Sequence, residues 1–320
     1  MSCSAMEERT VDLFERWRSA NSHFRKKLVF HVGYDAGLFS EINNMALALV
    51  YCMNHKIQFL LYSADANFGK GQGWTDIFQP FCTEVHQSIH HRFNKRWLSE
   101  REILSLKSKL KYRAIKILLG IDYFTHDLWY QIRSQSNEAD YNFPELGLRG
   151  DLRSVAGAFA MMVFHFNPEV EERIRAHKNE LKLPRGYIGI HIRSGDKIRE
   201  HALLDLSSYM DVAATISAER TCFVLTDDYG TVGELGKRYA EWTVATLCQP
   251  EEHGYDHLVF SQLSMHEKFE ATLRLLASIR ILSEAMVFIG TFSTNPGMFL
   301  GMIMEKERCR AVDYDSWRVW

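Results

Sequence analysis

Apolar residues along this chain recur with two periods. Short runs rich in β-branched and aromatic residues have the composition of strands buried in a sheet: Leu28-Val29-Phe30-His31-Val32, Ile57 to Leu61, Tyr187 to Ile192, Thr221 to Leu225 and Met286 to Ile289. Between them the apolar positions fall three and four apart. Ile42, Met45, Ala46, Leu49 and Met53 make one face of a helix from about Glu41 to His55, with Ser40 as its N-cap. Residues 151–182 read as two helices, with Ala156, Phe159, Ala160, Val163, Phe164 and Phe166 as a buried face and Pro168 at the first position of the second helix. Helices are also predicted over Ser207 to Ala218, Val232 to Tyr239, Phe269 to Ser283 and Met298 to Glu305, and a looser leading helix over 6–25. Strands that alternate with helices predict an α/β fold with parallel sheets. The break at Leu183-Pro184 divides the chain into 1–183 and 184–320.

Three strands of the second half run into polar loops, at 193–200, 226–230 and 290–297. In a parallel sheet these loops share the carboxyl edge, where α/β proteins hold their ligands. The first loop carries Arg193, Asp196, Lys197, Arg199 and Glu200, and Gly189 in the strand before it allows close backbone approach. Arg193 offers a planar fork of donors and Lys197 a point charge, both suited to a diphosphate. The third loop places Ser293, Thr294 and Asn295 at a helix start with Pro296 in its first turn, so hydroxyls and backbone N–H groups are expected to form an anion cradle.

Hydrophobic content of 46%, charged content of 24% and a net charge of -2 are globular values with no general attraction to nucleic acid. The six cysteines include no CxxC pair and read as reduced, mostly buried thiols. No apolar leader and no run of eighteen apolar residues is visible, which sets the expectation of a soluble, cytoplasmic protein. Residues 89–119 are basic, with Ile103, Leu104, Leu106, Leu110, Ile115, Leu118 and Leu119 interleaved. They read as amphipathic helices with a solvated basic face, or as a weak contact with a membrane surface or an anionic glycan. Gly69, Gly71 and Gly73 are not followed by GKS or GKT, which excludes a P-loop, and no glycine fingerprint supports a nicotinamide enzyme. Asp227-Asp228 lacks a third ligand at useful spacing, and Glu251, Glu252, His253, Asp256 and His257 read as a polar surface loop, so no metal is expected.

His191-Ile192-Arg193-Ser194-Gly195-Asp196-Lys197, Leu225-Thr226-Asp227-Asp228 and Gly290-Thr291-Phe292-Ser293-Thr294, with Gly73-Trp74-Thr75-Asp76-Ile77-Phe78-Gln79-Pro80 in the first half, resemble the α1,6-fucosyltransferase and nodulation-fucosyltransferase group. The resemblance runs from about residue 28 to 305. It implies two Rossmann-like domains facing a cleft, the GT-B type: an amino-terminal domain on the acceptor side and a carboxy-terminal donor domain. It implies an enzyme of glycan biosynthesis that transfers a sugar with inversion and without metal or other cofactor, from a nucleotide sugar such as GDP-fucose to a glycan or other hydroxyl.

By position, the resemblance gives Arg193 the donor β-phosphate, and Asp196 and Lys197 the donor and its loop. Glu200 takes the place of the acceptor's base after a one-residue shift; strict counting puts His201 there. Under the same shift Tyr209 matches a tyrosine near the donor. Asp227 and Asp228 match paired aspartates near the ribose, Thr294 a serine facing phosphate, and His191 a base-side residue. Ser278 stands where the family has an aspartate that reads guanine. A serine cannot accept both the N1 and N2 protons, which leaves another nucleotide sugar, such as UDP-xylose, as an alternative donor. A nucleotide-sugar-binding protein without catalysis is the rival of another class.

Overall fold

The structure is a computed structural model that describes residues 3–33, 36–194, 204–216 and 219–318. It divides between Asn167 and Pro168 into two compact units. The helix after Pro168 packs on a helix of the second unit, so the division falls before that helix rather than near 184.

The amino-terminal unit has a parallel sheet in the order β2-β1-β3, with β1 at Lys26–His31, β2 at Ile57–Tyr62 and β3 at Tyr123–Phe124. Helix α1 (Cys3–His23) docks through Leu13 and Trp17, and the Trp17 ring meets Phe159 edge-on at 5.4 Å. Near its end, Asn21 bonds both the N–H and the C=O of Phe59 on β2, at 2.7 and 3.0 Å, and so fixes the helix to that strand. Helix α2 (Leu38–His55) starts one turn before the expected Glu41, with Gly37 in place of Ser40 at its N-cap. Its buried positions include the whole face Ile42, Met45, Ala46, Leu49 and Met53. Short helices α3 (Ile89–Phe93) and α4 (Glu100–Leu104) lead into α5 (Leu106–Leu119) and α6 (Thr125–Arg133). A two-stranded hairpin of β4 (Tyr141–Phe143) and β5 (Leu148–Gly150) then precedes α7 (Leu152–Val163).

The carboxy-terminal unit begins with α8 (Pro168–Glu180), where Pro168 takes the first helical position. Its sheet holds β6 (Ile188–Ile192), β7 (Thr221–Thr226), β8 (Thr243–Ala245), β9 (Val287–Gly290) and β10 (Cys309–Ala311). All pairings are parallel and the order is β10-β9-β6-β7-β8. The connecting helices are α9 (Leu206–Ile216), α10 (Tyr229–Arg238), α11 (His257–Gln262), α12 (Met265–Glu284) and α13 (Asn295–Ile303). Ile188, Ile190 and Ile192 of β6, Cys222 and Val224 of β7, and Met210 and Ala213 of α9 share one core. Gly189 points the other way. A Cβ there would stand 2.9 Å from both Leu282 and Ala285, so glycine lets α12 lie close on β6. Among the described residues no helix is long and apolar enough to cross a membrane.

Candidate functional site

The chain runs outward from β6 through β7 to β8, then returns to the other side of β6 for β9 and β10. The order therefore reverses between β6 and β9, and a doubly wound sheet opens a crevice outside the carboxyl ends of two such strands. His191, Arg193 and Ser194 lie at the end of β6, and Thr291 to Thr294 at the end of β9.

His191 is 4% exposed, and its Nδ1 lies 3.4 Å from Thr294 Oγ1. Burial above all, with the Arg193 charge beside it and Asp227 opposing, brings the imidazole down to about 4. It is neutral at pH 7 and adds no charge next to Arg193. The Arg193 Nε is 3.8 Å from Asp227 Oδ2, and the guanidinium lies over the Tyr255 ring at 5.6 Å. Asp227 is held in turn. Its Oδ1 accepts the Ser194 N–H at 2.8 Å and its Oδ2 the Tyr255 N–H at 3.1 Å. One carboxylate thus joins the loops after β6 and β7 to the 248–256 segment and orients a guanidinium at the edge. That group's planar fork of donors suits phosphate oxygens.

The loop after β9 is pinned from within. Thr294 caps α13, its Oγ1 accepting the Gly297 N–H at 3.2 Å and donating to Thr291 O at 3.0 Å. Gly297 is required here, because a Cβ would stand 1.9 Å from the Thr291 carbonyl oxygen. The Asp313 carboxylate, just beyond β10, accepts the N–H groups of Phe292 and Ser293 at 2.8 and 2.9 Å. The expected cradle of backbone N–H groups is therefore largely taken: those of Phe292, Ser293 and Gly297 already have protein acceptors, and Pro296 has none to give. What the loop presents instead is hydroxyl chemistry, with Ser293 partly exposed beside the buried Thr291 and Thr294.

The other expected residues divide. Asp228 is the N-cap of α10, its Oδ1 accepting the Gly230 N–H at 2.9 Å, so the two aspartates do different work. Tyr209 lies in α9 and is buried; burial first and the Asp313 charge second push its phenol up to about 12. Ser278 is buried in α12, and its hydroxyl donates to Arg274 O at 2.8 Å. Asp196, Lys197, Glu200 and His201 lie outside the described residues. In the loop before α12, Glu252 bonds Arg274 at 2.7 Å and Asp256 caps α11. Among the described residues no group of three His, Cys, Asp or Glu side chains is gathered as a metal site. Asp313 and Tyr255 were not legible in sequence. Neither belongs to a motif, and each comes to the edge through a distant strand or loop.

The amino-terminal unit has its own polar cluster at the carboxyl ends of β1 and β2. His31 is fully buried, with Nδ1 2.6 Å from Asn94 O and Nε2 2.8 Å from Asp65 Oδ1. His91 Nδ1 meets the other oxygen of Asp65 at 2.6 Å. Burial raises the Asp65 carboxyl, but its contacts with His31 and then His91 outweigh that and hold it below the usual range. Glu41 and Arg96 form a buried ion pair in the same unit; burial overrides the pair and pushes Glu41 up to about 7. His90, expected on a basic face, is instead buried between Tyr62 and Phe124, and burial brings it down to about 4.

No protein-family model matches the chain, and no curated protein matches it in sequence. Solved structures do match. NodZ α-1,6-fucosyltransferase soaked with GDP-fucose aligns at a TM-score of 0.56 and 13% identity, over 91% of this chain and 95% of that one. Fucosyltransferase NodZ from Bradyrhizobium aligns at 0.54 and 12%, over 88% and 93%. Arabidopsis thaliana FUT1 in complex with GDP aligns at 0.50 and 11%, over 97% and 74%. At these identities the likeness is one of fold, and this chain is similar in fold to the NodZ and plant FUT1 fucosyltransferases.

Proposed function

We propose that the chain is a glycosyltransferase of the GT-B type that moves a sugar, L-fucose in the first instance, from a nucleoside diphosphate donor to a glycan hydroxyl with inversion. The carboxy-terminal unit is the donor side and the amino-terminal unit the acceptor side of this reading. The observation that carries it is the meeting of Arg193, Asp227, Tyr255, His191 and the Ser293-Thr294 hydroxyls where the sheet order reverses. The GDP-fucose and GDP of the structurally similar fucosyltransferases support a nucleotide-sugar ligand.

In this mechanism the acceptor oxygen attacks the anomeric carbon as its bond to the β-phosphate oxygen breaks, and the diphosphate leaves with the electron pair. Arg193 stabilises that growing charge, which is usually the largest single contribution to such a step. A neutral His191 permits close approach of the nucleotide without competing for the phosphate. Glu200 takes the acceptor proton, an effect of about 10²–10⁴-fold for a positioned base. No step is assigned to a metal.

A second donor is favoured by one observation. Ser278, with its hydroxyl given to Arg274 O, offers no carboxylate to guanine. This supports a pyrimidine nucleotide sugar such as UDP-xylose as the alternative. Transfer assays over GDP- and UDP-sugars test both. Arg193→Ala is expected to abolish transfer with the fold intact, and Glu200→Gln to lose turnover more than donor binding. Full turnover by Arg193→Ala would overturn the site. A dead His201→Ala beside an active Glu200→Gln would move the base by one residue. Donor binding with no transfer to any acceptor would favour a binding protein without catalysis.

A further inference from the structure

Helix α5 has two apolar faces, and only one of them is used within its unit. Tyr112 is buried, edge-on to Phe93 and Phe124, and its hydroxyl donates to Glu102 at 3.0 Å. Ile115 and Leu119 are half-buried with it. The helix is thus held by that side. On the other side Leu106, Leu110, Ile117 and Leu118, with Ile103 and Leu104 at the end of α4, are 51–79% exposed. These residues, interleaved with charge in the sequence, do not form a core face.

The spacing organises them. At about 3.6 residues per turn, Leu106, Leu110 and Ile117 fall on one stripe. Lys107 and Lys111 lie along one side of that stripe, and Lys109 and Arg113 along the other. The helix carries five cations, Lys107, Lys109, Lys111, Arg113 and Lys116, and no carboxylate. Lys116 is paired with Asp127 and the exposed Lys111 lies over the Phe93 ring, while Lys107, Lys109 and Arg113 are exposed beside the stripe. The chain as a whole carries -2, so this charge is local.

We infer that α4 and α5 form a peripheral docking surface for an anionic lipid bilayer. An apolar stripe bordered by lysine and arginine suits a helix lying in the plane of the headgroups: leucines enter the acyl boundary, and the basic side chains reach up to lipid phosphates and carboxylates. The charge argues against a second copy of the chain as occupant, because a two-fold pairing through this face would set its cations against themselves. The surface adsorbs to one leaflet, as no described helix is able to span it.

Cosedimentation of the full chain with phosphatidylcholine vesicles, with and without phosphatidylserine, tests the proposal. Binding is expected only with phosphatidylserine and is expected to weaken with salt. Each basic residue near an anionic surface is worth about fivefold in affinity, so the combined Lys107→Ser, Lys109→Ser and Arg113→Ser variant is expected to bind on the order of a hundredfold more weakly. The combined Leu106→Ser, Leu110→Ser and Ile117→Ser variant is expected to lose at least about tenfold. Circular dichroism and Tm are read alongside; both triple variants change exposed side chains and are expected to stay folded. Equal binding to neutral and anionic vesicles, or parental binding by either folded variant, overturns the proposal. So does a concentration-dependent dimer that the leucine variant abolishes while vesicle binding is unchanged.

Discussion

His191 gives the site a pH signature that can be worked out in advance. Its imidazole is depressed from 6.5 to about 4 by burial and by the Arg193 charge. The unfolded chain, with an ordinary histidine, therefore takes up a proton first as pH falls. Stability from this group is fully present above about 6.5, is lost progressively down to about 4, and changes no further below that. At 1.36 kcal/mol per pH unit the loss is about 3 kcal/mol. His191→Gln is neutral at every pH and keeps a polar group near Thr294. The variant is expected to be less stable at pH 7.5 but to lack this slope, so the two profiles converge in acid. The two units need not unfold together. The assay is therefore hydrogen exchange of peptides covering β6 across a urea series, at pH 7.5, 6 and 4.5, with rates corrected for intrinsic exchange. Parallel pH profiles for parent and variant would refute the reasoning. His90 contributes with the same sign in the amino-terminal unit, whereas Glu41, raised from 4.5 to about 7, contributes stability present below 4.5 and lost as pH rises through 7.

Asp313→Ala removes a charged acceptor from two backbone N–H groups, each worth about 1.5–3 kcal/mol, and is expected to lower the Tm of the carboxy-terminal unit by roughly 6 °C or more in calorimetry. An unchanged Tm would mean that water replaces the carboxylate without loss. Gly297→Ala must move either the Thr291 carbonyl or the helix start, and is expected to cost about 1–3 kcal/mol and to weaken nucleotide binding; calorimetric titration reads the second effect. Arg96→Met strands Glu41 in the core and is expected to destabilise by about 3–5 kcal/mol in urea, while adding Glu41→Leu restores most of it. A double variant no better than the single one would count against a charge-based cost.

Much of the architecture was legible because buried strands are short apolar runs and their helices keep the 3.6 period. β6, β7 and β9 and the helices that follow them lie within a few residues of where the pattern puts them. Edge strands were not legible. β8 and β10 are three residues each and partly exposed, so they carry no apolar run. The loop motifs put Arg193, Asp227 and Thr294 at one edge, but the groups that hold them were hidden. Asp313 and Tyr255 act through chain reversals that no local pattern encodes. The apolar residues of α5, expected on amphipathic helices with a solvated basic face, divide between two sides: Tyr112, with Ile115 and Leu119 half-buried beside it, anchors one, and Leu106, Leu110, Ile117 and Leu118 face outward on the other. His90 lies within the basic stretch 89–119 yet is buried against the Tyr62 and Phe124 rings, where burial keeps its imidazole neutral.

The central claim is that the carboxyl edge between β6 and β9 binds the diphosphate of a nucleotide through Arg193. Calorimetric titration of GDP and UDP into the parent and into Arg193→Ala tests it most directly. Saturable binding of one nucleotide by the parent, weakened at least about tenfold in the variant, is the predicted result, a charge-assisted bidentate contact being among the stronger hydrogen bonds. Binding of neither nucleotide, or equal binding by parent and a folded Arg193→Ala, would contradict the account.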